Sequence, residues 1–245
     1  MKRIVSAALA AATVLAVTSV ASSSPSPRPS SDEATLAPTR GAPSRGVEAK
    51  VERLLAKMTT EEKLQQGQLL SDGQVTDADA EAGVGGVFSL VDPAKIDHLQ
   101  HVAVEESRLG IPILFAYDTI HGYRTVFPVP LAAAGSFDPW VARTDARIGA
   151  RESAVVGLKQ VYSPMVDVSH EPRWGRIVEG NGEDPYVGSV MAAARVKGAQ
   201  GSDYSARTKV VTSVKHFVGY GEPEGGRDYD ATDMSEQRLR NIYLP

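Results

Sequence analysis

From Val47 onward, runs of apolar residues alternate between two spacings. Val51, Leu54, Leu55 and Met58 recur at helical intervals, so the spacing predicts an amphipathic helix over Val47 to Met58. Thr59-Thr60-Glu61-Glu62 fits a capping box, with Thr59 as N-cap and Glu62 reaching back, and predicts a second helix through Leu64 to Leu70. Gly83 to Leu90 then reads as the first buried strand. Asp92-Pro93 starts a helix running to about Arg108, because Asp caps free N–H groups and Pro suits the first helical position. The cycle repeats. Pro112 to Tyr117 is a continuous apolar run, as a strand covered on both faces requires. Asp138-Pro139 opens a helix ending near Gly157, and Gln160 to Met165 is the third strand. Asp184-Pro185 opens another helix, through Val187, Met191 and Val196. Lys209 to Val214 is the fourth strand, and Ser235 caps a last helix that the C-terminus interrupts.

Strand-helix alternation of this kind predicts an α/β fold with a parallel sheet. The sheet either closes into a barrel or stays open and doubly wound. An open nucleotide-binding sheet carries a Gly-rich turn between strand and helix, whereas Gly83-Val84-Gly85-Gly86 precedes its strand. The expectation is therefore a TIM-type (β/α)8 barrel. A full barrel needs ~250 residues, so residues 47–245 are expected to form its N-terminal part only, an incomplete barrel.

The first 46 residues break the pattern. Lys2 and Arg3 precede an apolar run from Ile4 to about Val20, and Ser19-Val20-Ala21 offers small residues for signal cleavage before Ser22. Residues 1–21 are read as a signal peptide, against the alternative of an uncleaved anchor, for which the run is short and interrupted by Thr13 and Thr18. Residues 22–46 are rich in Ser and Pro with little to bury, and read as a flexible linker. The product is expected to be secreted or periplasmic, with no stable membrane anchor. Cysteine is absent, so disulfides, thiol nucleophiles and thiolate-bound metals are excluded. A formal net charge of −4 gives no basic field to attract nucleic acid.

In α/β folds, functional groups gather beyond the C-terminal ends of the strands. Three such positions are unusually polar. Strand two runs into Asp118-Thr119-Ile120-His121-Gly122. Strand three leads to Asp167 through Arg176 and on to Glu179-Gly180-Asn181-Gly182-Glu183-Asp184. Strand four ends in Lys215-His216-Phe217, followed by Tyr220 and Gly225-Gly226-Arg227-Asp228-Tyr229. A carboxylate accepts from two adjacent hydroxyls of a polyol, cations donate to others, and Trp174 and Tyr220 offer faces to the apolar side of a sugar ring. Each charge taken alone equally suits a structural ion pair, but three polar strand ends together point to a ligand. By position alone, Asp118 at a strand end beside a His is a candidate nucleophile. A metal site built from His121, His170 and His216 lacks the close ligand pair that one element would supply, and His98 and His101 lie on a helix expected to face solvent.

Pro172-Arg173-Trp174-Gly175-Arg176, Glu179-Gly180-x-Gly182-Glu183-Asp184 and Lys215-His216-Phe217 resemble the N-terminal domain of glycoside hydrolase family 3. Phe115-Ala116-Tyr117-Asp118-x-x-His121-Gly122, Thr125-Val126-Phe127-Pro128 and Met58-Thr59-x-Glu61-Glu62-Lys63 fit the same family, and bacterial periplasmic β-glucosidases most of all. The resemblance spans residues 47–245. It implies that Asp118 binds sugar hydroxyls rather than attacking, with Arg173, Lys215 and His216 as companions, and it puts Asp228 at the entrance. It also implies a cis Lys215-His216 peptide, no cofactor and no metal. The implied reaction releases β-D-glucose from the non-reducing end of a β-glucoside or oligosaccharide, by a two-step mechanism that retains configuration. The family's nucleophile, an Asp in a Ser-Asp motif, and its acid/base Glu are expected beyond residue 245, leaving this chain a fragment inactive by itself. A β-xylosidase of the same family stays open, as does a non-catalytic sugar-binding module. An N-acetylhexosaminidase is disfavoured, because Tyr220 to Asp233 lacks an Asp-Ser-His motif.

Overall fold

The computed structural model describes residues 45–245. The signal-peptide reading lies outside the described residues, as does the linker reading except for Arg45 and Gly46, which begin a helix. The elements in chain order are α1 (Arg45–Leu55), α2 (Thr60–Gln66), β1 (Leu69–Ser71), α3 (Asp77–Ala82), β2 (Gly86–Phe88) and α4 (Pro93–His101), whose last turn widens through Glu106. There follow β3 (Leu114–Tyr117), α5 (Pro130–Ala134), α6 (Pro139–Val155), β4 (Gln160–Val161), α7 (Pro185–Gln200), β5 (Val211–Thr212) and α8 (Glu236–Arg238), which continues as a wider turn to Tyr243.

Local chemistry explains the helix starts. Asp92, Asp138 and Asp184 each accept a backbone N–H from the first turn they precede, at 2.9, 3.0 and 2.8 Å, with Pro at the next position. The Thr59 capping box is present in both directions, Thr59 N–H to Glu62 at 2.8 Å and Glu62 N–H to the Thr59 hydroxyl at 3.2 Å. Glu62 also receives Arg108 at 2.8 Å, and these donors together lower its carboxyl pKa to about 2. A second capping box, Thr76 with Asp79, was not anticipated. Its Asp is a less familiar partner at that position than Glu or Gln.

The five strands are all parallel and lie in the order β1-β2-β3-β4-β5. A doubly wound sheet reverses its strand order at a switch point. No reversal occurs here. β1 corrects the sequence reading, which extended the second helix through Leu70 and took Gly83 to Leu90 as the first strand. Three residues are too short to show a period, and α2 stops at Gly67. The other strands are also shorter than their apolar runs. Beyond Val161 the chain turns through a cis Ser163-Pro164 bond, and only Met165, bridged to Lys215, resumes the pairing.

Val87, Phe115 and Ala116 are fully buried in the sheet. Leu90, Leu99, Ala103 and Leu158 pack with Val87 and Phe115 as the main core. The face under α6 and α7 is built from small residues, with Ala150, Ala154 and Ala199 around Val161 and Ala142 against Met191 and Ala194. Small side chains let these helices approach closely. A Cβ at Gly198 would stand 2.2 Å from the Arg143 carbonyl oxygen. His98 and His101 sit on the solvent side of α4 as expected, and His98 pairs with Asp77 at 2.9 Å. Among the described residues no helix is long and apolar enough to cross a membrane.

Gly198→Leu is expected to lower the free energy of unfolding by about 2–3 kcal/mol or more, because the side chain meets backbone rather than a movable neighbour. Gly188→Ala, in the same helix with nothing within 4 Å of the added Cβ, is expected to be neutral or slightly stabilising. Urea midpoints at constant m-value read both. Equal midpoints for the two variants would refute the close-packed α6–α7 contact.

Candidate active site

Because all strands run the same way, the segments following β3, β4 and β5 emerge at one edge of the sheet. The segment after β3 makes a tight loop. His121 Nδ1 donates to the Phe127 carbonyl at 2.8 Å, and Phe127 N–H returns to the His121 carbonyl at 2.9 Å. Gly122 turns the chain at φ +115°, where a Cβ would fall 1.9 Å from the Thr125 carbonyl oxygen. Two backbone bonds, Val166 N–H to Lys215 at 2.6 Å and Lys215 N–H to Pro164 at 3.1 Å, tie the β5 segment to the β4 segment. The peptides Lys215-His216 and Phe217-Val218 are both cis.

A cavity of about 640 Å³ opens between these segments. Asp118, His121, Arg176, Glu179, Lys215 and Tyr229 supply its polar and aromatic lining. Lys215 Nζ donates to Asp118 Oδ1 at 2.5 Å across residues 97 positions apart in the chain. The lysine side chain is 17% exposed and the aspartate 53%, so the carboxylate faces the open space while the ammonium backs it. These are the two expected residues that line the cavity.

His216 and Arg173 are placed differently. His216 stands beside the cavity, held from behind by Asp167, whose carboxylate accepts its backbone N–H at 3.0 Å and Nδ1 at 2.8 Å. Since a carboxylate only accepts, Nδ1 carries a proton and Nε2 is left for other partners. The Asp167 side chain is fully buried, so it fixes the ring without meeting solvent. Arg173 turns away. Its guanidinium grips Glu171 through two bonds, 2.8 and 2.7 Å, and is 70% exposed. That grip holds the Glu171 carboxyl at about 2.

Arg176 takes the lining position instead. Nε and Nη2 make a fork to Glu179 at 2.8 and 3.0 Å. The pairing raises the arginine and lowers the glutamate, which Lys215 and His216 lower further. Arg176 lies over the Tyr220 ring, 5.4 Å from its centroid. Tyr220 donates its hydroxyl to Asp228 at 2.6 Å, and the buried Trp174 donates its indole N–H to the same oxygen at 2.8 Å. Those two donors hold Asp228 below the usual carboxylate range. Trp174 and His216 stack edge-on to Tyr220, at 5.2 and 4.7 Å. Trp174 is thus a buried support rather than an open sugar platform, and Tyr229, 81% exposed and at the cavity wall, offers the open ring. Arg176, Glu179 and Tyr229 all fall inside segments singled out from the sequence, but nothing in the sequence separates Arg176 from Arg173. Among the described residues no three His, Asp or Glu side chains converge as metal ligands.

The arrangement can present a carboxylate, an ammonium and an imidazole edge to several hydroxyls. The sequence matches the glycosyl hydrolase family 3 N terminal domain over residues 47–245. It is 46% identical over 204 residues to a periplasmic β-glucosidase of Salmonella typhimurium, covering 81% of this chain and 27% of that protein. It is 37% identical over 163 residues to a β-xylosidase of Formosa agariphila, covering 62% of this chain and 22% of that one. The fold superposes on a crystal structure of a mutant β-glucosidase from Listeria innocua in complex with laminaribiose with a TM-score of 0.75 at 35% identity, over 81% of this chain and 30% of that one. The chain thus spans between a fifth and a third of the length of these relatives.

Burial and the Asp228 carboxylate push the Tyr220 phenol from 10.0 to about 12. A raised folded-state pKa contributes stability that is complete below pH 10 and lost as pH rises through 12. Unfolding midpoints are therefore expected to fall across that interval, and Tyr220→Phe to flatten part of the fall. An unchanged slope in the variant would place the pH dependence elsewhere, Tyr243 at about 12, Tyr123 and Tyr162 also being phenols held high.

Proposed function

The chain belongs to glycosyl hydrolase family 3, and on that premise we propose that it holds the non-reducing sugar of a β-glucoside in the cavity between β3 and β5. The Asp118–Lys215 pair at the mouth is the observation that carries this reading. Asp118 accepts from two neighbouring hydroxyls, Lys215 donates to one of them, and His216 donates or accepts through its free ring edge. Arg176 is the arginine of the set, because it lines the cavity, whereas the expected Arg173 is committed to Glu171. Tyr229 meets the apolar side of the ring or of the leaving group.

The full reaction in this reading is hydrolysis with retention of configuration, using a nucleophile and an acid/base carboxyl about 5 Å apart. The two carboxylates lining the cavity do not fill those roles. Asp118 is bound to Lys215, and Glu179 is forked to Arg176 and held ionised, so it has no proton to give a leaving group. We therefore assign these residues to binding, and expect the 245-residue chain by itself to bind glucose weakly without turning over an aryl β-glucoside.

The sequential parallel order supports reading the five strands as consecutive staves of an incomplete (β/α)8 barrel, of which residues 47–245 form the N-terminal part. Residues 1–21 and 22–46 are proposed as export signal and linker, and a secreted or periplasmic location agrees with the name of the Salmonella relative. The Formosa relative keeps β-xyloside cleavage as a second reading.

In the full-length enzyme, Asp118→Ala is expected to lower kcat/KM about 10²–10³-fold, as loss of two charge-assisted hydrogen bonds of roughly 1.5–2 kcal/mol each implies. Arg176→Ala should cost a similar factor, whereas Arg173→Ala should stay within about threefold. Nitrophenyl glucoside and xyloside compared side by side read the substrate preference. Equal losses for both arginine variants would refute the assignment of Arg176, and unimpaired Asp118→Ala would refute the sugar site itself.

A further inference from the structure

A second cavity lies directly behind the wall of the first. Thr119, Ile120 and His121 from the β3 loop, Asp145 from α6, Ser163 from the segment after β4, and Arg195 from α7 line it. Ile120 and His121 line both cavities, so they are the wall between them. The second holds about 10 Å³, the space one water molecule needs, and no larger ligand fits.

Its chemistry is unusual for a packed helix interface. Arg195 is 5% exposed and Asp145 7%, so both are more than nine-tenths buried. Arg195 Nε and Nη2 and Asp145 Oδ2 are fully enclosed and have no hydrogen-bond partner among the described residues. A buried donor or acceptor left unpaired costs about 1–3 kcal/mol, more for a charged group. Burial pushes the Asp145 carboxyl up and the Arg195 guanidinium down, and the charge of each opposes the shift of the other.

The occupant must accept from Arg195 and donate to Asp145. An anion satisfies the first and meets the carboxylate's charge, a cation does the reverse, and an apolar group satisfies neither. Water does both. We infer that Arg195 and Asp145 hold one buried water, which accepts from the guanidinium, donates to Asp145 Oδ2, and joins α6 to α7 directly behind the loop carrying Asp118. The two side chains are then positioning residues for that loop. The water site stands on burial, cavity size and charge, whatever sugar the outer cavity takes; the positioning role bears on function only through the site proposed above.

A crystal structure of the full-length protein, soaked in bromide, tests the site. One light-atom peak within hydrogen-bond reach of Arg195 and Asp145 Oδ2, without anomalous signal, is expected. A bromide peak would make it an anion site, and a direct Arg195–Asp145 ion pair with nothing between would remove the site; either overturns the inference. Hydrogen exchange tests the positioning role without any activity measurement. Arg195→Met should speed exchange in the peptide spanning residues 118–127 at least tenfold more than in β1 and β2, with Arg195→Gln, which keeps a donor, restoring most of the protection. A uniform rise across the protein, or none, overturns the positioning role. Should Arg195→Met fail to fold, Asp145→Leu, which removes the acceptor, is read by the same comparison.

Discussion

A parallel strand cannot be joined to its neighbour by a hairpin, so each strand here is followed by a crossover that returns the chain to the same starting edge. That requirement organises the molecule. It forces a helix between successive strands and delivers the C-terminal ends of β3, β4 and β5 to one side. Residues separated by 97 positions, Asp118 and Lys215, are thereby brought to the same edge and meet there.

Once gathered, the polar groups restrain one another. Arg176 neutralises Glu179, stacks over Tyr220 and, through that ring's hydroxyl, is linked to Asp228 and the buried Trp174. Asp167 sits fully buried behind His216 and fixes both its backbone and its ring. Such networks keep side chains in place before any ligand arrives. The charges of these strand ends are thus placed in two different ways. Arg173 with Glu171 is a surface pair, while Asp118 with Lys215 borders open space.

The helices behind the site contribute by how closely they approach. Alanine and glycine along α6 and α7 bring them against the β3 loop, where a Cβ at Gly149 would stand 3.3 Å from the Gly122 backbone. Close approach also traps Asp145 and Arg195 where direct pairing does not satisfy them. The same packing that positions the loop therefore leaves a polar pocket at its back.

Features governed by a few consecutive residues were legible in the sequence. The Asp-Pro helix starts and the Thr59 capping box follow from hydrogen bonds within one turn, and they appear where the chain predicts them. The α/β alternation and the polar strand ends were legible too, because buried parallel strands leave continuous apolar runs and chemistry collects at their ends. The family motifs were readable as well, since they are contiguous. Strand boundaries were not, because a strand exists only where a partner's backbone is in register; β1 has three residues and owes its identity to β2. Nor did the sequence separate Arg173 from Arg176, three positions apart in one loop. Burial of Trp174 turns the chain between them, aiming one guanidinium at solvent and the other at the cavity. The sequence by itself determined the helix starts, the alternation of strand and helix, and the segments in which the polar residues gather. Only the tertiary structure decided which of them meet, since contacts between distant residues depend on how the helices pack and not on any local pattern.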